Sequence, residues 1–159
     1  MRPARLKTFS RLFLSVLQVF VGLTAIAGGA KLVSDPSGNA VGVPLEWLSG
    51  SPFSDYSVPG WVLVVAIGLG HAAASLLSAF GHRQFGRAAI VQGGLLAGYI
   101  AVEVWAIGWQ VALQPLYFIL GLAQIALGFF AQRKREASYE GEPFLPGAVP
   151  GGCASEPRQ

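Results

Sequence analysis

Several side chains that could hold or move a proton lie in long apolar stretches of this sequence. His71, Tyr99 and Glu103 offer an imidazole, a phenol and a carboxyl group, and Gln124 adds an amide at a comparable depth. Polar groups in apolar surroundings are costly, so they find polar partners or mark an ion or proton pathway. These four residues are the candidate polar site predicted from the sequence.

Gln18 and Gln92 form a second polar layer, for which we expect a hydrogen bond between two helices rather than a site. Such bonds contribute about 0.6–2 kcal/mol in a bilayer. Lys31 could pair with Glu103 only if Gly28-Gly29 broke the first helix. Otherwise the lysine is expected to extend its ammonium group to the headgroups.

The residue types exclude several kinds of chemistry. No nucleophile, base and orienting group can be placed together. His71 and His82 are eleven residues apart, about 16 Å along a helix, so they cannot share one metal ion. The single cysteine, Cys153, excludes a disulfide framework and a cysteine-based metal cluster. The sequence therefore predicts no catalytic residue, no metal site and no cofactor.

The composition places these side chains in a membrane. The chain has 159 residues, of which 53% are hydrophobic and 12% are charged, against about 25% charged residues in soluble domains. Eleven Lys and Arg against eight Asp and Glu is too small a surplus to indicate nucleic-acid binding. One charged residue, Glu103, lies within the stretches 12–30, 58–81, 88–110 and 115–131.

Each stretch is long enough to cross hydrocarbon as a helix. The predicted fold is therefore an all-α, integral membrane four-helix bundle. Its parts are a basic cytoplasmic tail, 1–11; a transmembrane domain, 12–131, with spans at about 12–33, 58–81, 88–110 and 115–131 and an outer loop at 34–57; and a disordered cytoplasmic tail, 132–159.

Basic residues near the helix ends predict the orientation. Nine Lys and Arg fall on the side of the two termini, and Lys31 alone falls on the other side. Both termini are thus predicted to be cytoplasmic. The first span also resembles a secretory signal, and its cleavage would leave three spans. Four aromatic residues of the outer loop and the following helix start are expected at the headgroup level: Trp47, Phe53, Tyr56 and Trp61.

At 100° per residue, each span has one face of polar and small residues. Such faces predict close helix packing, because small residues let backbones approach. The faces comprise Ser15, Gln18, Gly22, Ala25 and Gly29 in the first span; His71, Ser75 and Ser78 in the second; Gln92, Tyr99 and Glu103 in the third; and Gln114, Tyr117, Gly121, Gln124 and Gly128 in the fourth.

The run Gly28-Gly29-Ala30-Lys31-Leu32 at the end of the first span resembles the end of the first helix in DoxX-like small four-helix bacterial membrane proteins. In that family a pair of small residues and Lys-Leu close the first helix. The resemblance implies a bacterial inner membrane and a redox-linked accessory role, since relatives include subunits linked to quinone-dependent sulfur oxidation. It implies no catalytic residue, and an association with a quinone is the one cofactor interaction that it suggests.

Three functions are compatible with these features. The first is a non-catalytic accessory or scaffold subunit linked to a quinone-dependent redox system. The second is a small proton-coupled transporter or carrier acting as an oligomer, with His71, Tyr99 and Glu103 along its path. The third is a membrane enzyme acting on a lipid or quinone. The expected partners are the lipid bilayer and either a membrane redox subunit or a second copy of the chain.

Overall fold

The computed structural model describes residues 3–140, and the side chains of residues 10–133. Within this range the chain forms four long helices and no strand: α1 (Pro3–Ser34), α2 (Ser57–Phe80), α3 (Phe85–Ile107) and α4 (Leu113–Glu140). All four are long and apolar enough to cross a membrane. The predicted all-helical fold with four helices able to span a membrane is therefore confirmed, whereas the orientation of the termini stays a prediction.

The first and last helices extend into the two predicted tails. α1 begins at Pro3, within the basic tail, and α4 continues to Glu140, past residue 131, where the predicted span ends. The remaining part of the predicted disordered tail, residues 141–159 with Cys153, lies outside the described residues.

α2 changes its helical form in the middle. It is α-helical over Ser57–Val62, π-helical over Leu63–Leu69 and α-helical again over Gly70–Phe80. A π segment shifts backbone hydrogen bonds from the fourth to the fifth residue along the chain. The π segment includes Ile67, whose carbonyl oxygen lies 2.7 Å from Nδ1 of His71.

The four helices pair as two antiparallel hairpins. α1 packs along the whole of α2, and α3 packs along α4. We call the end that holds residues 35–56 and 108–112 the cap end, and the end with the 81–84 turn the tail end. α2 contacts α3 chiefly through Gly70–Phe80, so the two hairpins are in contact toward the tail end and separate toward the cap end.

Glycines bring the backbones of α3 and α4 into contact. A Cβ atom on Gly93 would lie 2.5 Å from the carbonyl oxygen of Gly121, and one on Gly121 would lie 2.9 Å from the carbonyl oxygen of Gly93. Gly86 and Gly128 face each other in the same way, at 3.0 and 2.6 Å. Distances below 3.0 Å leave no room for a methyl group. The small-residue face predicted for the fourth span therefore packs on glycines of the third.

An arginine holds the tail end of α2. The helix ends at Gly81, whose φ of +66° is in the left-handed region that glycine readily adopts. The Arg11 guanidinium group of α1 donates to the carbonyl oxygens of Ser78 at 3.4 Å and Ala79 at 3.0 Å. A cation at a helix C-terminus satisfies free carbonyl groups and interacts favourably with the helix dipole.

Residues 35–56 form a folded cap over one end of the bundle. Short 3-10 helices occupy Asn39–Val41 and Leu45–Leu48. Leu48 and Tyr56 are buried and pack with Leu32 of α1 and Ile107 of α3. Tyr56 is 5% exposed inside this cluster, and its position at the headgroup level stays a prediction.

Asp35 organises the first turn of the cap. Its Oδ1 accepts hydrogen bonds from the hydroxyl group and the N–H of Ser37, and its Oδ2 accepts from the N–H of Ala40 at 2.9 Å. These bonds, led by the Ser37 hydroxyl, hold the pKa of the Asp35 carboxyl below its ordinary value of 3.8.

Acidification is therefore expected to loosen this turn. Since the folded-state pKa is the lower one, the carboxylate stabilises the turn above the ordinary value, and the contribution is lost as the pH falls through the folded pKa. Hydrogen exchange of the Ser37 and Ala40 amides, measured against pH, should show the loss of protection. Asp35→Asn should remove that pH dependence. Equal pH profiles in the two proteins would contradict the assignment.

Candidate functional site

A cavity of about 630 Å³ lies between the two hairpins in the cap-end half of the bundle. All four helices and the cap line it, and most of its wall is apolar. Several lining residues of α2 and α3 are also 42–56% exposed on the bundle surface. They are Val58, Val62, Leu95 and Val102. The cavity therefore opens sideways between α2 and α3, toward the lipid in a membrane-spanning bundle.

Glu103 of α3 and Gln114 of α4 form the polar end of the cavity. The Gln114 Nε2 donates to Glu103 Oε1 at 3.4 Å and to the carbonyl oxygen of Gly108 at 3.2 Å. Its Oε1 accepts from the N–H of Val111 at 3.3 Å. The amide thus links the end of α3 to the start of α4 and positions the carboxyl group.

Two tyrosines next to the polar end are held by backbone carbonyl groups. The Tyr99 hydroxyl donates to the carbonyl oxygen of Pro59 at 3.4 Å, and the Tyr56 hydroxyl donates to that of Pro44 at 3.2 Å. Burial raises the pKa of Tyr56, and the charge of nearby Glu103 raises it further. The Tyr56 hydroxyl therefore keeps its proton at neutral pH and connects the cap to the cavity.

A second set of polar side chains lies deeper in the bundle, on the side of the cavity toward the tail end. The side chains of Gln18, His71, Ser78 and Gln124 are all 0% exposed. We call these four residues the polar core. The Ser78 hydroxyl donates to Gln18 Oε1 at 2.8 Å, which joins α1 to α2.

His71 has one ring nitrogen bonded and one unpaired. Its Nδ1 lies 2.7 Å from the carbonyl oxygen of Ile67, so Nδ1 carries the proton and donates. Its Nε2 is then an acceptor, and it has no hydrogen-bond partner within residues 3–140. The amide of Gln124 lies beside the ring, and both of its polar atoms are also unpaired there.

An apolar cluster separates the polar core from the cavity. It consists of Val21, Ala25, Ile67 and Leu96, which line the cavity floor. The predicted polar site is thus divided between two places. Tyr99 and Glu103 line the cavity, whereas His71 and Gln124 belong to the polar core.

Gln18, in the second predicted polar layer, pairs with a residue other than Gln92. The expected hydrogen bond between Gln18 and Gln92 is wrong, because Gln18 bonds to Ser78 and the Gln92 amide lies against Gly70 of α2. Lys31 is exposed at the end of α1 and forms no pair with Glu103 in the described part of the chain.

Sequence reasoning missed Gln114, Tyr56 and Ser78 as site or partner residues. Gln114 was predicted on the polar face of the fourth span, three residues before Tyr117, but it was not assigned to the candidate site. That shared face was the available signal.

Comparison of the chain with protein-family models, with curated proteins and with solved structures finds no significant match. The class is therefore defined by the fold and the cavity alone. This is a four-helix, multi-pass membrane protein with an apolar cavity open to the side and a carboxyl group at its polar end.

Proposed function

We propose that this protein is a non-catalytic accessory subunit of a membrane redox system that binds a quinone or quinol in its cavity. The observation that carries the proposal is the lipid-facing opening between α2 and α3, which leads into about 630 Å³ of apolar space ending at Glu103. Ligand pockets of about 300–1,000 Å³ bury small molecules and orient them through a few polar groups. A quinone has an apolar tail and a polar ring, which match the apolar wall and the polar end of this cavity.

The accessory role is supported by the residues that the cavity lacks. Its polar lining residues are hydroxyl, amide and carboxyl groups held by hydrogen bonds, with no nucleophile paired to a base. Gly28 to Leu32 lie near the end of α1, which runs to Ser34, and their resemblance to the DoxX-like motif supports a redox-linked role in a bacterial inner membrane. The basic residues near the tail end support cytoplasmic termini.

A proton-coupled carrier is the alternative, and the geometry supports it less. Such a carrier needs polar groups connected across the bilayer. Here Val21, Ile67 and Leu96 lie between Glu103 and His71. The unpaired Nε2 of His71 is the one feature that favours a proton-binding role.

The test is to purify the protein in mild detergent and record native mass spectra and ultraviolet–visible spectra. We expect a bound quinone-type molecule, or uptake of an added short-chain quinone or quinol with one site per chain. A redox subunit retained at the same stage would support the accessory role. Failure to retain or take up any quinone or quinol would overturn the proposal, and proton uptake by vesicles containing the protein would favour the carrier.

A further inference from the structure

The hydrogen-bond donors of the cavity wall are already used within the chain. Tyr99 and Tyr56 donate their hydroxyl protons to the carbonyl oxygens of Pro59 and Pro44. Thr24 donates to carbonyl oxygens of its own helix, at 2.9 and 3.1 Å. The Gln114 Nε2 donates to Glu103 and to a backbone carbonyl. The donor protons of these four side chains are therefore not available to a ligand in the cavity.

At the polar end of the cavity, by contrast, some hydrogen-bond acceptors have no partner within the described residues. Glu103, as the carboxylate, accepts one bond from Gln114 at Oε1, and its Oε2 has no partner in the part of the chain that the structure describes. The oxygens of Tyr99 and Tyr56 each keep a lone pair after donating. Tyr117 is the exception, since its hydroxyl can still donate or accept.

From this balance we infer that the cavity selects ligands whose polar head donates a hydrogen bond, so that a hydroxyl or ammonium head binds more tightly than a carbonyl or ether head. The inference rests on the proposed ligand-binding function. It deepens that function, because it assigns the hydroxyl-bearing quinol form, rather than the quinone, as the one the site retains. A buried acceptor that loses water must regain a donor, which is why a head without a proton binds poorly.

The experiment uses two tail-matched probes, of which one carries a proton and the other a methyl group on the oxygen of the head. p-Decylphenol carries a hydroxyl group, and p-decylanisole carries a methyl ether at the same position. Their dissociation constants for the full-length protein in nanodiscs are measured by native mass spectrometry. We expect the phenol to bind about tenfold more tightly, as one buried hydrogen bond implies. Decylamine, measured in the same way, shows whether a neutral hydroxyl or a cationic head is preferred, and tighter binding of either than of the anisole supports the inference.

Two variants and a control test whether the polar end of the cavity, at Glu103 and Gln114, causes this selectivity. Glu103→Gln adds an amide donor and should bring the ratio of the two dissociation constants toward one. Tyr117→Phe removes the uncommitted hydroxyl and should keep or raise the ratio. Glu46→Gln changes an exposed carboxyl of the cap that does not line the cavity, and it should leave the ratio unchanged.

The possible results distinguish failure of the selectivity from failure of the proposed ligand-binding function. Equal binding of phenol and anisole to the unmodified protein would overturn the selectivity and leave the ligand-binding function intact. Absence of binding by every probe, together with no uptake of quinone or quinol, would overturn the proposed function itself. A preference for the phenol that persists in Glu103→Gln would show that the selecting acceptor lies elsewhere, and would overturn the assignment to Glu103.

Discussion

Replacement of Gly93 by leucine is expected to separate α3 from α4 and to prevent formation of the native bundle. The Cβ atom alone would lie 2.5 Å from the carbonyl oxygen of Gly121 and 3.0 Å from Cβ of Gln124. A backbone carbonyl in a helix cannot rotate away as a flexible side chain can. Overpacking in cores costs about 1–3 kcal/mol or more, and we expect at least the upper value here.

The effect should extend beyond the contact itself. The polar core and the cavity each take side chains from both hairpins, so a displaced α4 also moves Gln124 and Gln114 from their positions. The measurement is the free energy of unfolding in mixed micelles, with protease resistance as a second readout. Gly93→Ala should give a smaller loss than Gly93→Leu, because the larger side chain forces a larger displacement.

Gly94 provides a matched control on the same helix. A Cβ atom at this position meets no atom within 4 Å, and the residue is exposed on the bundle surface. Gly94→Leu should leave stability unchanged or raise it by up to about 1 kcal/mol, because glycine is a poor helix former. Equal stability of the Gly93 and Gly94 variants would show that the two backbones are not in contact.

The four helices could be predicted because hydrocarbon imposes a simple rule. A charged side chain in the bilayer is costly, so the uncharged stretches mark the spans. The cap was harder to predict, since its fold depends on contacts such as that of Tyr56 with Leu32, which join residues far apart in the sequence. The π segment of α2 carries no sequence signal that the analysis could use.

For the candidate site as well, the sequence indicated which residues share a helix face but not which residues they contact. Helical periodicity placed Gln18 on the correct face, and the residue is fully buried. Its partner could not be predicted, because that depends on which helices are adjacent and on how closely their glycines let them approach. α1 lies along α2, so Ser78 is within reach of Gln18, whereas Gln92 faces another part of α2.

Gly98→Phe is expected to close the entrance of the cavity and to weaken ligand binding about tenfold or more, which corresponds to about 1.4 kcal/mol. Gly98 lines the cavity on α3 between Leu95 and Val102, the residues that mark the opening toward α2. A Cβ atom there meets no atom within 4 Å. The aromatic ring can therefore occupy the opening without displacing the helices, so folding should be preserved.

The dissociation constant and the dissociation rate of p-decylphenol test this prediction in nanodiscs, and the unfolding midpoint checks that the bundle is intact. Gly94→Phe is the control, since it adds the same ring one turn away on the same helix, outside the cavity lining. A loss of affinity confined to Gly98→Phe supports ligand entry between α2 and α3. If both variants bind the probe as the unmodified protein does, the ligand does not occupy this opening, and the side entrance cannot be the route from the bilayer to Glu103.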